Sequence, residues 1–298
     1  MKIVITGATG FVGKYLIKYF ESTQDRIVTK SVRYVASQQF DFEDSDAIIH
    51  LSGKAHDLKK NVKKSDYEEA NFKLTKQLYD SFLKSKASVF IFLSTVKAVA
   101  DTTNQDITEE TIPSPKTYYG ISKLKAEYYI FSREIPKGKR VFILRPCMIH
   151  GPGNKGNLIL LSRFFSKGLP WALGSFKNKR SFLSVENLSF IIKEILQNNS
   201  CLSGIYNVAD NEPVSTNELI RLLAKAHNKR EMIWNIPTFL IKCLAKLGDV
   251  LHLQINSERL QKLTENYIVS NHKIIKAIGK ELPVSTKEGL IKTFQSFN

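Results

Sequence analysis

The sequence predicts a doubly wound α/β fold, in which a parallel sheet carries helices on both faces and a smaller C-terminal lobe follows. Three observations predict it. A β-branched run, MKIVIT, leads straight into Gly7-Ala8-Thr9-Gly10-Phe11-Val12-Gly13 and then into a helical segment, KYLIKYFEST. Short apolar runs at 26–33, 46–51 (DAIIHL), 89–94 (VFIFLS) and 140–144 (RVFIL) alternate with helical patterns at 67–85 and 122–132. Strands alternating with helices specify parallel pairing with crossover helices. Past about residue 150 the pattern becomes irregular, with helices near 157–168, 186–198, 215–228, 237–251 and 286–297. No repeat, low-complexity stretch or linker divides the chain.

Composition narrows the class. The chain has 298 residues, 43% hydrophobic and 24% charged, enough for a packed core and too apolar for a disordered or fibrous protein. No apolar run reaches the roughly 18–20 residues of a membrane span, and the apolar N-terminus lacks a small-residue cleavage site. Three cysteines, Cys147, Cys201 and Cys243, imply no disulfide framework. A soluble, reduced, cytoplasmic protein is expected.

Lys and Arg number 44 against 28 Asp and Glu, a formal net charge of +16. The basic residues are spread along the chain, and the densest run, Lys59 to Lys64, has no interleaved aromatics. A solvated lysine-rich surface is expected rather than a nucleic-acid site, and the charge suits a phosphate-bearing substrate. Phe239, Leu240, Cys243, Leu244, Leu247 and Leu251 keep helical spacing beside Lys242 and Lys246. This stripe is expected to pack on its own domain rather than on a membrane.

The chemistry begins with Gly7, Gly10 and Gly13. Glycines at this spacing, after a strand and opening a helix, permit a tight turn and let a pyrophosphate approach the backbone at a helix N-terminus. At the end of the second strand a dinucleotide site needs a partner for the adenosine ribose. A carboxylate there selects the free hydroxyl, and a basic residue accepts a 2′-phosphate. The chain offers Lys30-Ser31-Val32-Arg33 and no carboxylate, so NADP(H) is favoured at Ser31 and Arg33, with NAD(H) the alternative. Asp41 and Phe42 are placed toward the adenine.

Tyr119-x-x-x-Lys123 puts a phenol and an ammonium one helical turn apart on one face. A lysine beside a phenol lowers its pKa and makes tyrosinate a usable base near neutrality. Tyr118 competes, but only Tyr119 has a lysine four residues on. The pair follows Ser94-Thr95, at the end of the fourth strand, by about two dozen residues. Other constellations fail. His50, His56, His150, Cys147 and Cys201 lack metal-ligand spacing, and no G-x-S-x-G elbow or GKS/GKT loop occurs. Tyr128, Tyr129 and Trp171 are expected in packing rather than in base stacking.

Taken together these residues resemble the extended short-chain dehydrogenase/reductase family, in its NAD-dependent epimerase/dehydratase group, over nearly the full length. TGATGFVG resembles the cofactor fingerprint, with Phe11 and Val12 inside it. His50-Leu51-Ser52-Gly53 stands at a cofactor-lining strand end, and Asn71 matches the Asn of the next helix. The resemblance places Thr95, Tyr119 and Lys123 as the catalytic set and Pro146 of Arg145-Pro146 beside the cofactor. Asn157, Leu158, Arg180 and Arg259 would be substrate residues, and Gly204–Val208 resembles a returning strand. It implies a Rossmann dinucleotide-binding domain over 1–150 and a nucleotide-sugar domain over 151–298. A homodimer is left open.

The departures bear on the reaction. Val96-Lys97 follow Thr95 where dehydratases of this family carry an acidic pair. The acidic residue and the Asn typical of UDP-galactose-type 4-epimerases are missing near Ser31 and at Met148. The remainder resembles a branch of bacterial surface-polysaccharide enzymes, with UDP-sugar 4-ketoreductases and 4-epimerases. The implied activity is hydride transfer at C4 of a UDP-linked sugar, leaning to a 4-ketoreductase. An NAD-retaining 4-epimerase is the alternative, and a non-catalytic NAD(P)-binding scaffold a remote one.

Overall fold

The computed structural model describes residues 1–55, 63–154, 156–251 and 256–297. His56, residues 59–62 of the basic run, and Lys155 lie outside the described residues.

In chain order the first half comprises β1 (Lys2–Thr6), α1 (Phe11–Phe20), β2 (Arg26–Lys30), β3 (Ala47–His50), α2 (Lys64–Tyr67), α3 (Leu74–Lys84), β4 (Val89–Leu93), α4 (Tyr118–Phe131) and β5 (Arg140–Pro146). The second half comprises β6 (Met148–His150), α5 (Asn157–Ser166), β7 (Phe182–Ser184), α6 (Val185–Gln197), β8 (Gly204–Val208), α7 (Thr216–Ala226), α8 (Thr238–Val250), α9 (Ser257–Thr264), α10 (His272–Ile278) and α11 (Thr286–Gln295). Six strands form one parallel sheet in the order β2-β1-β3-β4-β5-β8, and β6 and β7 form a separate parallel pair.

Central strands of such a sheet are covered on both faces and read as continuous apolar runs. Ile3, Ile5, Ile48, Ile49 and Phe90 through Phe92 are fully buried. Leu16 and Phe20 of α1, Leu188 and Ile191 of α6, and Ile274 of α10 pack on one face. Leu78 and Phe82 of α3 and Ala126 and Ile130 of α4 pack on the other. The C-terminal lobe has its own core, in which Leu158, Phe165, Trp171, Leu223 and Phe294 meet. Residues of the second half thus build part of the first core, through α6, β8 and α10.

The strand order reverses between β1 and β3. Ligands of doubly wound sheets bind at that switch, beyond the carboxyl ends of the strands. Gly7 to Gly13 and Leu51 to Gly53 are the segments that leave those two ends.

Three sequence expectations change. β2 stops at Lys30, three residues short of the predicted end, since its one partner β1 ends opposite it at Thr6 and turns away at Gly7. The helix expected over 67–85 starts at Lys64 and carries a π-helical turn over Glu68–Lys73. The third concerns α8. Its stripe does not pack on the domain: Ile241, Ala245 and Gly248 form the inner face, while Phe239, Leu240, Cys243, Leu244 and Leu247 are exposed. Tyr128 is also exposed rather than packed, whereas Trp171 is buried and donates Nε1–H to Asn217 at 3.0 Å.

Candidate active site

The glycine turn is built for close approach. Gly7 sits at φ +72°, a left-handed value that penalises any side chain, and a Cβ there would lie 2.7 Å from the Ser52 amide nitrogen. Gly10 donates its amide to the Gly7 carbonyl at 3.0 Å and caps α1. A Cβ on Gly13 would strike the Gly7 carbonyl and Ala8, so the helix can abut the strand only with glycine there. The first turn of α1, from Phe11 and Val12, presents free amides over this turn, where an anion is stabilised. A Cβ on Gly53 would meet Asn71 Oδ1 at 2.8 Å and Lys123 Nζ at 3.1 Å. A space walled by backbone and shaped by missing side chains fits a dinucleotide.

A buried polar relay pins the β3 end of this cradle. The Ser52 amide donates to Thr6 Oγ1 (3.3 Å), Thr6 Oγ1 lies 2.8 Å from His50 Nδ1, and His50 Nε2 lies 2.9 Å from Thr75 Oγ1. Thr75 spends its own proton on the Asn71 carbonyl at 2.6 Å. It must therefore accept from His50, which fixes the neutral tautomer with the proton on Nε2 and makes Nδ1 the acceptor for Thr6. Burial, reinforced by the Lys123 charge, holds the His50 pKa well below its ordinary value, so the ring stays neutral. Asn71 completes the scaffold: its side chain accepts from the Lys54 amide at 2.7 Å, and donates to the Lys54 carbonyl at 3.0 Å and to Ser122 Oγ at 2.9 Å. It lies in the π-helical turn, where one extra residue per turn re-aims a side chain.

Helix α4 carries two of the three candidate catalytic residues, Tyr119 and Lys123. Thr117 caps it, accepting from the Gly120 amide at 3.2 Å. Tyr119 is half-buried and hydrogen-bonded to Thr95, while Tyr118 is 52% exposed. Thr95 is 7% exposed and caps the short 3₁₀ turn Val96–Ala98, accepting from the Lys97 amide at 3.2 Å. Lys123 is buried, donates to the Leu93 carbonyl at 2.8 Å and lies over the Phe92 ring at 4.5 Å.

Here the sequence expectation of a low-pKa phenol is overturned. Burial pushes Tyr119 up to about 12, with the Thr95 hydrogen bond holding it lower than burial alone would. Burial also brings the Lys123 ammonium down to about 7, against an upward pull from Glu127, so its help to the phenol is reduced. At neutral pH the phenol carries its proton.

One turn beyond Lys123, Glu127 is clamped by Arg145: Nε approaches Oε2 at 3.0 Å and Nη2 approaches it at 2.5 Å. Ser94 Oγ donates to the other carboxylate oxygen. Both ionic side chains are almost wholly buried. Sequence reading missed this pair, although Glu127 continues the four-residue spacing of Tyr119 and Lys123 and so shares their helix face.

The outer positions divide. Ser31 and Arg33 are exposed just past the end of β2, while Lys30 is engaged, donating to the Asp41 carbonyl at 2.6 Å and capping the Phe42 ring at 4.9 Å. Asp41 is exposed, but Phe42 is 3% exposed and belongs to the core with Phe40, so its ring is not open to an adenine. Pro146 is buried at the carboxyl end of β5. Asn157 opens α5 and is exposed, whereas the Leu158 side chain is core and leaves only its backbone to a ligand. Arg180 donates to the Lys262 carbonyl on α9 at 2.8 Å, and Arg259 is exposed one turn earlier on that helix. Lys97 lies over the Tyr267 ring at 4.3 Å and donates to the Asp101 carbonyl at 2.6 Å; burial is the main influence against its ammonium, Asp101 and Glu265 favour it, and Arg180 and Lys262 oppose it. Lys97, Arg180 and Lys262 thus stand near one another with Asp101 and Glu265 among them. Among the described residues no group of three metal-ligating side chains converges.

A family model, the NAD dependent epimerase/dehydratase family, matches residues 3–209. The chain belongs to this family. A UDP-glucose 4-epimerase of Vibrio cholerae is 30% identical, the match covering 99% of this chain and 95% of that one. A GDP-6-deoxy-D-mannose reductase of Pseudomonas aeruginosa is 27% identical over 75% of this chain and 79% of its own. An N-acetyl-alpha-D-glucosaminyl-diphospho-ditrans,octacis-undecaprenol 4-epimerase of Escherichia coli O157:H7 is 25% identical over 79% and 75%. The solved UDP-glucuronic acid 4-epimerase from Bacillus cereus, in complex with NAD, shares the fold with a TM-score of 0.76 at 18% identity, covering 100% and 98% of the two chains. The family is one of NAD(P)-dependent enzymes, and this chain is an enzyme of its nucleotide-sugar epimerase and reductase group.

Proposed function

We propose that the protein reduces a 4-keto nucleoside-diphosphate hexose, UDP-linked, with NADPH. The observation that carries this reading is the end of β2, where Ser31 and Arg33 stand exposed with no carboxylate to hold a ribose diol. Reduction consumes a proton at the carbonyl oxygen, and Tyr119, bonded to Thr95, is the group placed to give it.

Gly7, Gly10, Gly13 and the first turn of α1 would hold the pyrophosphate, Ser31 and Arg33 the ribose phosphate, and Leu51 to Gly53 the nicotinamide half. A nicotinamide cofactor held there would supply the hydride that C4 of the sugar receives. Tyr119 then gives its proton to the O4 that becomes a hydroxyl, and Thr95 shares the hydrogen bond that orients that oxygen. Lys123, tied to Leu93 and tuned by Glu127, would hold the nicotinamide ribose and its hydroxyl chain. Arg180 and Lys97 would face the diphosphate, since charged donors make the strongest hydrogen bonds to phosphate oxygens. Asn157 and Arg259 would complete that side.

The second reading is a 4-epimerase with retained NAD, favoured by the full-length match to the Vibrio relative. Two measurements separate them. A reductase consumes NADPH stoichiometrically with a UDP-4-keto-hexose, and its Tyr119→Phe variant, folded, loses roughly 10²–10⁴ in turnover. Protein purified with tightly bound NAD that interconverts UDP-glucose and UDP-galactose, with no net cofactor change, refutes the reductase. Near-normal activity of Tyr119→Phe refutes both.

A further inference from the structure

Helix α8 turns its broad apolar side to solvent. At about 100° per residue, Phe239, Leu240, Leu244, Leu247, Val250 and Leu251 fall within an arc of about 140°. All six are exposed, Val250 by 74%, Phe239 by 63% and Leu244 by 59%. The packing side is narrow and made largely of small residues, with Ala245 and Gly248 beside Ile241. Lys242 and Lys246 are exposed along one border of the arc. Single exposed leucines are ordinary, but six large apolar side chains on one helix face mark an interaction surface.

We infer that α8 is an interfacial helix that lies on an anionic membrane surface, with its apolar arc at the acyl boundary and Lys242 and Lys246 at the headgroups. The segment is too short and too charged to cross, and no described helix is long and apolar enough to do so. An amphipathic helix with a lysine border lies in the plane of the interface instead. Charge selects lipid over a second copy of the chain. A self-interface would set one +16 chain against another, bringing identical lysine borders together. An anionic leaflet meets the same surface with opposite sign and gains about 1 kcal/mol per basic residue near the headgroups. Trp234, 57% exposed three residues before Pro237 at the helix cap, adds a side chain suited to the headgroup level.

The placement relates the docked face to the site. α8 packs on α9, and the α9 carbonyl of Lys262 is the one that Arg180 holds. A membrane under α8 would therefore lie one helix away from the Arg180 and Lys97 cluster. The inference rests on α8 itself and not on the identity of the substrate.

The test uses the whole chain and sedimentation with phosphatidylcholine vesicles, with and without phosphatidylglycerol. The wild type is expected to sediment with the anionic vesicles and to be released by salt. Leu244→Glu with Leu247→Glu, at exposed positions that leave the core untouched, should lower the partition roughly tenfold or more. The same variant should keep the wild-type melting temperature and cofactor affinity. Lys242→Glu with Lys246→Glu should remove the preference for phosphatidylglycerol. Absence of vesicle binding by the wild type overturns the inference, as does binding that Leu244→Glu with Leu247→Glu leaves unchanged. A concentration-dependent dimer in sedimentation velocity, dissolved by those substitutions and formed without lipid affinity, overturns it in favour of a self-interface.

Discussion

Asn71 donates its amide to Ser122 at 2.9 Å and so joins a π-helical turn to α4 across 51 residues of chain. The same side chain brackets the Lys54 backbone from both sides. One fully buried amide thus holds the loop bearing Gly53 and the helix bearing Tyr119 and Lys123 in fixed relation.

Replacing Asn71 with Ala should therefore damage the site before it damages the fold. Three hydrogen bonds go, two with the Lys54 backbone and one to Ser122 Oγ, which keeps its own bond to the Tyr119 carbonyl at 2.8 Å, at a cost of about 2–4 kcal/mol in stability. Cofactor affinity should fall further than stability alone explains. A thermal melt beside a nicotinamide fluorescence titration checks it, and an unchanged titration would show that Asn71 only packs.

Lys123 gives a pH signature. Its folded pKa of about 7 lies below the ordinary 10.5, so as pH falls through that window the unfolded chain takes up the proton first. Stability contributed by this group is present above pH 10.5, declines toward pH 7 and stays low below it. Lys123→Met removes the titration. Its melting temperature, relative to wild type, should be several degrees more favourable at pH 6 than at pH 10. A constant difference across that range would mean that the lysine is not disfavoured by burial.

The Glu127–Arg145 pair makes a sharper stability claim. Arg145→Leu leaves a buried carboxylate that keeps the Ser94 hydroxyl as a donor and should cost about 3–5 kcal/mol. Adding Glu127→Met should recover much of that loss, because replacing both ions with apolar groups is far cheaper than breaking the pair. Urea denaturation of the four proteins of the cycle measures the coupling, and strict additivity would contradict a mutual role.

The glycine turn, the parallel alternation of strands and helices and the shared helix face of Tyr119 and Lys123 were legible because each is a local pattern with a physical reason at fixed spacing. Tertiary features were not. Lys123 lowers the phenol in a pairwise reading, yet burial acts on both groups and reverses the outcome, and burial cannot be read from four residues of spacing. The His50 relay joins Thr6, His50 and Thr75, which are adjacent only because β1, β3 and α3 are neighbours in space. Phe42 and the α8 stripe mislead for a shared reason: apolarity says that a residue seeks cover, not which surface provides it.

Cofactor choice remains the most direct test of the nucleotide end of the site. β2 ends at Lys30, and Ser31 and Arg33 follow it exposed at the edge of the sheet. Lys30 is already committed to the Asp41 carbonyl and the Phe42 ring, so it cannot turn to a phosphate without giving both up. Arg33 is then the cation available to a 2′-phosphate. A charged hydrogen bond of this kind contributes about 1.5–3 kcal/mol, or roughly tenfold to a hundredfold in affinity. NADPH should bind more tightly than NADH by that factor, and Arg33→Ala should erase the difference while leaving NADH affinity nearly unchanged. Lys30→Ala should leave the ratio intact and lower stability slightly. If Lys30→Ala erases the preference while Arg33→Ala does not, the phosphate sits one strand register earlier. If neither cofactor is preferred by the wild type, the NADPH reading fails and the epimerase reading gains.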